Sequence, residues 1–193
     1  MVDRRPPQPS ADQAFSAPAA GHAGAAAHPA VAPLPRSEPV RLRIPAIGVD
    51  ASLVRLGLDR AGALRPPPEG DPHVAGWYGG GTAPGSRGTA VTTGHVDTRA
   101  GSPGVFYRLG AVTKGETVEI GRADGRTAVF TVDAVEVYDK RRFPGTKVYG
   151  GSGRPELRVI TCGGPAGDSG YRGNVVVYAT LTAVRGARTP PRT

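Results

Sequence analysis

The stretch Glu156-Leu157-Arg158-Val159-Ile160-Thr161-Cys162-Gly163-Gly164 decides how this chain is read. Its first seven residues are mostly apolar or β-branched and run into a glycine pair, the pattern of a short strand that leaves a sheet through a turn. Ten residues after the cysteine, Arg172 opens a second run, Val175-Val176-Val177-Tyr178. Far upstream, Thr89-Ala90-Val91-Thr92 leads into Thr93-Gly94-His95-Val96-Asp97. The same texture begins at Pro39, where Val40-Arg41-Leu42-Arg43-Ile44 alternates apolar and polar residues with the period of a half-buried strand. Strands are expected at about 40–44, 51–56, 74–78, 88–94, 116–120, 127–138, 156–162 and 174–183. Turn signals separate them: Asp59-Arg60-Ala61-Gly62, Pro66-Pro67-Pro68, Gly79-Gly80-Gly81 and Gly150-Gly151-Ser152-Gly153. Asp124-Gly125 predicts a tight hairpin. The expected fold is all-β, eight strands in a closed barrel or a sandwich, with short helical turns at 104–109 and 144–149. No internal repeat is present.

Composition supports this. Gly (29) and Pro (20) make up a quarter of the 193 residues, which suits many short strands joined by turns. Residues 1–39 hold eleven Ala and eight Pro with few large apolar side chains, so they read as a disordered linker. Residues 40–184 form the expected domain, and 185–193 an expected disordered tail. The formal charge is +8, of which the linker contributes nothing and the tail three, so the basic body favours anionic surroundings. Nucleic acid is not the expected partner, because no stripe of alternating aromatic and basic residues could stack bases. No apolar run of 18 residues or more encodes a membrane span, and the first 30 residues lack a signal-peptide pattern.

Cys162 is the only cysteine, so it has no internal disulfide partner. It reads either as a small buried hydrophobe or, at a strand end before paired glycines, as a thiol nucleophile that needs a base within reach. His95 leaves its strand after a glycine. It is either an ordinary loop histidine or that base, with Asp97 a candidate to orient its ring. Arg172 is either a solvated surface group or a fixed guanidinium for an oxyanion or a substrate backbone. No metal site is expected, since one cysteine and no clustered histidines cannot supply three or four zinc ligands. No cofactor is expected either.

Taken together, these segments resemble the sortases. Leu157-Arg158-Val159-Ile160-Thr161-Cys162 is similar to the family's active-site signature, in which Thr stands one before the nucleophilic Cys and Leu commonly three before it; Val159 takes that Leu position here. Thr93-Gly94-His95 resembles the sortase histidine, and Tyr171-Arg172-Gly173-Asn174-Val175-Val176-Val177-Tyr178 the arginine and final strand, in the same order along the chain. Gly76-Trp77-Tyr78, the Ala83-Pro84-Gly85 turn and Gly163-Gly164 resemble the actinobacterial class F branch. The resemblance covers about residues 40–184.

It implies a closed eight-stranded sortase barrel and a cysteine transpeptidase acting on surface proteins that carry a C-terminal sorting signal of the Leu-Pro-x-Thr-Gly type. Cys162 would be the nucleophile, His95 the proton shuttle and Arg172 the oxyanion or backbone donor. Thr161 would line the substrate groove. The segment 138–155, rich in Lys, Arg and Gly, would correspond to the substrate-recognition loop. The acceptor would be a peptidoglycan precursor or another amine, and the site of action the outer face of the cytoplasmic membrane or the cell wall. Two other readings use the same residues: a thiol hydrolase on the same barrel with water as acceptor, and a non-catalytic β-barrel binding module with a buried cysteine.

Overall fold

A computed structural model of the chain describes residues 6–15, 28–162 and 173–186. Eight strands close into a barrel. They are β1 (Pro39–Ile44), β2 (Val49–Leu56), β3 (Ala75–Tyr78), β4 (Thr89–His95), β5 (Thr117–Arg122), β6 (Arg126–Asp139), β7 (Glu156–Cys162) and β8 (Gly173–Gly186). Around the barrel the order is β1-β2-β3-β4-β7-β8-β6-β5, with β5 paired back to β1. Two pairings are parallel, β2 with β3 and β4 with β7; the rest are antiparallel. Closure leaves no edge strand among the described residues.

Alternation along the strands sorts the residues into two apolar clusters. Leu42, Ile44, Ile120, Phe130, Leu157, Val159, Val177 and Leu181 point inward and form the core, which Phe106 and Leu109 join from the segment after β4. Val91, Ala134, Ile160, Val176 and Tyr178 lie on the opposite face of β4, β6, β7 and β8, where Val148 covers them. A barrel buried on one face and partly covered on the other explains why β7 and β8 read as almost continuous apolar runs.

The expected strands all form, most within a residue or two of their expected limits. β8 is the main exception: it continues to Gly186, so Arg185 belongs to the barrel, pairing with Thr127 and bridging to Glu119 at 2.7 Å. The Asp124-Gly125 hairpin forms with Gly125 at φ 81°, and the Asp124 carboxylate accepts the Arg126 amide N–H at 3.0 Å. The helical turn expected at 144–149 is the helix α1 (Gly145–Tyr149). The one expected at 104–109 is a series of turns that ends in a 3-10 turn at Leu109–Ala111.

Composition alone gave no reason for residues 28–38 to contact the barrel, yet they do. Val31 and Leu34 pack against the core, and the Leu34 amide donates to the Gly85 carbonyl at 2.8 Å. The buried Arg122 guanidinium donates to the carbonyls of Pro35 and Pro84 and pairs with Asp124 at 2.9 Å. His28 sits 2.8 Å from Asp133. Prolines lack an N–H but keep their carbonyls, so a proline-rich strand can be held by arginine donors rather than by a ladder. Trp77, within the Gly76-Trp77-Tyr78 segment, is buried in this same region; its ring nitrogen donates to the Thr82 carbonyl, and Arg36 and Arg55 flank it.

Candidate active site

The parallel pairing of β4 and β7 sets the site. In that register His95 is opposite Cys162, the last residue of each strand. Neighbouring strands run about 4.8 Å apart. Two residues 67 positions apart in sequence therefore leave the sheet side by side. This pairing brings together two of the residues singled out by the sequence. The third, Arg172, lies outside the described residues, as do Gly163 and Gly164. The strand that follows Arg172 is described: β8 begins at Gly173 and runs antiparallel to β7, with Val176 opposite Ile160.

His95 shares its face of β4 with Val91, the outer face that Ile160 and Val176 also line. Its Nε2 lies 2.8 Å from the Pro67 carbonyl oxygen. A carbonyl only accepts, so Nε2 carries a hydrogen in this arrangement. Pro67 was read from the sequence only as part of a turn signal. The two glycines around the histidine have packing reasons. A Cβ on Gly94 would come within 2.6 Å of the Val105 and Phe106 side chains, and one on Gly104 within 2.4 Å of the His95 carbonyl oxygen. The segment 104–106 therefore lies flat against the strand end, and the Phe106 amide donates to that carbonyl at 3.0 Å.

Asp97 is half-buried on the turn after β4 and bridges to Pro103. Its Oδ1 is buried without a hydrogen-bond partner among the described residues. The ring partner shown for His95 is the Pro67 carbonyl. Thr161, expected in the substrate groove, has another contact. It is buried, it shares the inward face of Leu157 and Val159, and its Oγ1 accepts the Val175 amide N–H at 2.9 Å, tying β7 to β8. No cluster of three or more His, Cys, Asp or Glu side chains among the described residues could hold a metal ion.

Beyond the residues singled out by the sequence, the outer face carries a polar cluster. Arg158 is buried on β7. It donates to the carbonyls of Val148 at 2.7 Å and Gly150 at 2.9 Å, pairs with Glu156 at 3.2 Å, and lies 4.5 Å from the centre of the Tyr178 ring. It thus anchors the segment between β6 and β7 to the barrel. Tyr178 shares a hydroxyl hydrogen bond of 2.7 Å with Tyr138, whose hydroxyl donates to Glu136; Lys147 pairs with Glu136 at 3.0 Å. Burial, reinforced by the Glu136 charge and opposed by Arg158, pushes the Tyr178 phenol up to about 12. The side chains of Glu136, Tyr138 and Tyr178 therefore form a hydrogen-bonded pocket on β6 and β8. A single sequence carries no signal for it, because the three residues meet only through the β6–β8 register.

The sortase domain family model matches residues 42–182. The fold is similar to that of sortase A from Listeria monocytogenes, at 15% identity and a TM-score of 0.57 over 80% of this chain and 93% of that one. It is also similar to sortase A from Corynebacterium diphtheriae, at 19% identity and a TM-score of 0.57 over 81% and 65%. A third similar structure is sortase C-1 from Actinomyces oris, at 21% identity and a TM-score of 0.56 over 75% and 74%. At these identities the structures show a shared fold. No curated protein matches the sequence.

Proposed function

From the premise that this chain belongs to the sortase family, and is thereby a cysteine transpeptidase, we propose that it cleaves a Leu-Pro-x-Thr-Gly-type sorting signal between Thr and Gly and passes the protein to an amine of the cell wall. The observation that carries this reading is the register pairing of His95 with Cys162 at the ends of adjacent parallel strands. A thiol nucleophile needs its proton carrier within reach, and two strand ends about 4.8 Å apart provide that without any loop having to be ordered.

Cys162 Sγ attacks the Thr carbonyl carbon. The bond to the Gly nitrogen breaks, and His95 gives the leaving amine its proton. The product is a thioester between Cys162 and the Thr acyl group. An incoming amine attacks that carbonyl carbon, His95 takes the amine proton, and the C–S bond breaks to regenerate the thiolate. Arg172, one residue before β8, donates to the developing oxyanion or to the substrate backbone. The register of β8 beside β7 supports that role, since it brings the start of β8 to the same end of the sheet. Asp97 remains a candidate for orienting the imidazole through an intervening group. Thr161 serves the site by holding the end of β7 to β8.

Sortases act at the cell surface on proteins that carry sorting signals. No helix among the described residues is long and apolar enough to cross a membrane. The class F placement rests on the Gly76-Trp77-Tyr78 and Ala83-Pro84-Gly85 segments and on Gly163-Gly164; the first two also help to hold residues 34–36. Mass analysis of the products from a model sorting peptide, with and without an added amine, tests the reading. The expected outcome is an amide-linked product with amine and the Thr acid without it. Cys162→Ala should yield neither, and appreciable turnover by that variant would overturn the mechanism. Exclusive hydrolysis in the presence of amine would favour the hydrolase reading.

A further inference from the structure

Residues 6–15 lie against the barrel close to the strands that carry the site. Pro6 is buried, and Pro6, Pro7 and Gln8 border a narrow crevice with Thr161 and Gly173. The Pro7 carbonyl oxygen lies so near Gly110 that a Cβ there would come within 2.0 Å of it. Gln13 accepts the Lys114 amide N–H at 2.8 Å. The segment then reaches the outer face with Phe15. The Phe15 ring meets Tyr178 edge-on, with centroids 4.9 Å apart and planes at 71°. Its main-chain N–H donates to Glu136 Oε1 at 3.3 Å, and the Lys147 ammonium lies 5.6 Å from its ring centre. Phe15 is nonetheless 44% exposed, so it rests on the pocket and is not part of the core.

The pocket has a definite place relative to the proposed nucleophile. Tyr178 is opposite Arg158 on β7, four residues before Cys162. At about 3.3 Å per residue that is roughly 13 Å along the strand. An extended peptide with its Thr carbonyl at Cys162 covers this distance in about four residues, which reaches the residue just before the Leu of a Leu-Pro-x-Thr-Gly signal. Ile160, Val176 and Tyr178 occupy the outer face between the two points, with Val148 packed in the same cluster.

We propose that Glu136, Lys147 and Tyr178 form a subsite for an aromatic side chain of the substrate, placed immediately upstream of the five-residue signal, and that Phe15 fills it in cis when no substrate is bound. This rests on the reading of Cys162 as nucleophile. The chemistry of the pocket selects its ligand. The Tyr178 ring offers an edge-to-face partner, the Glu136 carboxylate accepts a main-chain N–H, and the Lys147 ammonium faces a π-surface. An alanine in the same place keeps the N–H contact and loses the two aromatic ones.

The test uses the full chain carrying Cys162→Ala, so that binding is read without turnover, with and without Phe15→Ala. Calorimetry compares two peptides, Phe-Leu-Pro-Ala-Thr-Gly and Ala-Leu-Pro-Ala-Thr-Gly. An aromatic pair contributes about 0.5–1.5 kcal/mol, so the Phe-led peptide should bind the Phe15→Ala chain roughly 2- to 12-fold tighter than the Ala-led one. With Phe15 present the preference should shrink, and Lys147→Ala should weaken it in the Phe15→Ala chain. Equal affinities for the two peptides in the Phe15→Ala chain would overturn the subsite. A preference unchanged by Phe15→Ala would overturn the cis occupancy. Both results are independent of whether Cys162 is the nucleophile, which the product assay decides.

Discussion

Arg158 is the residue whose loss should disturb this protein most without touching the reacting atoms. Replacing it with Met keeps a long flexible side chain and removes every donor. The carbonyls of Val148 and Gly150 lose donors at 2.7 and 2.9 Å, and the Tyr178 ring loses the cation over its face. A buried polar group left unpaired costs about 1–3 kcal/mol. The buried Val148 carbonyl sets the loss at about 1–3 kcal/mol, since Gly150 is exposed and its carbonyl keeps the Thr89 hydroxyl as a donor at 3.3 Å. Two effects reduce it. Glu156 keeps the Ser152 amide and hydroxyl as partners at 2.7 and 3.0 Å, so its carboxylate is not stranded. The variant also no longer buries a guanidinium, which offsets part of the lost pairing. A net loss of about 1–2 kcal/mol follows, which lowers Tm by roughly 2–8 °C for a chain of this size. Arg158→Lys should recover only part of it, since one ammonium cannot serve both carbonyls in the geometry of a planar fork. Calorimetric melting measures the global effect. Limited trypsin digestion at Lys140, Arg141 and Arg142 measures the local one, because the segment between β6 and β7 should open before the barrel does. A loss below about 0.5 kcal/mol, with digestion at those sites unchanged, would refute the idea that this guanidinium anchors the segment.

Three further outcomes are expected. His95→Ala should lower kcat/KM on the order of 10²–10⁴-fold and Arg172→Ala roughly 10²–10³-fold, with Arg172→Lys rescuing little; wild-type kcat/KM in either folded Ala variant would remove the role proposed for that residue. Deleting residues 1–38 should lower the melting temperature, because Val31, Leu34 and the Pro35 carbonyl held by Arg122 go with them, whereas a purely disordered linker could be removed without effect. Stability should fall as pH rises above about 10: the Tyr178 phenol, held near 12 in the fold, keeps its proton where the unfolded chain has released it, so its contribution is complete below 10 and lost through 12. Tyr178→Phe should flatten that decline in a pH series of urea melts.

Much of the barrel was legible because period-two alternation and turn chemistry are local. Leu42 and Ile44 face the core while Arg41 and Arg43 face out, and the Asp124-Gly125 turn places Ile120 across from Ala128 with no information from elsewhere in the chain. The His95–Cys162 pair was legible in part. Each residue announces a strand end, but only the parallel β4–β7 register makes them neighbours, and a parallel pairing joins strands that no short turn connects. Thr161 is expected in the substrate groove from the family resemblance alone, and strand alternation adds a contact for it: its side chain turns inward, where the hydroxyl accepts the Val175 amide N–H.

What a single sequence does not disclose is which polar residues on an outer face will be covered. Glu136, Tyr138 and Arg158 all occupy positions where alternation predicts exposure, and a charged residue at such a position is ordinarily solvated. They are covered because the segment 140–150 folds back over β6 and β7, and it folds back because Arg158 holds its carbonyls. The cause and the consequence are thus the same contact, which no local pattern contains. Residues 28–38 follow the same logic from the other side. Their alanines and prolines bring little apolar surface, so composition places them in solvent. The barrel supplies what they lack: a buried arginine to bond their carbonyls and a turn at Ala83-Pro84-Gly85 to receive the Leu34 amide. A proline-rich segment carries less chain entropy to lose on docking than its length suggests. Two arginines buried on this barrel, Arg122 and Arg158, thus use main-chain carbonyls to hold segments whose own composition would leave them loose.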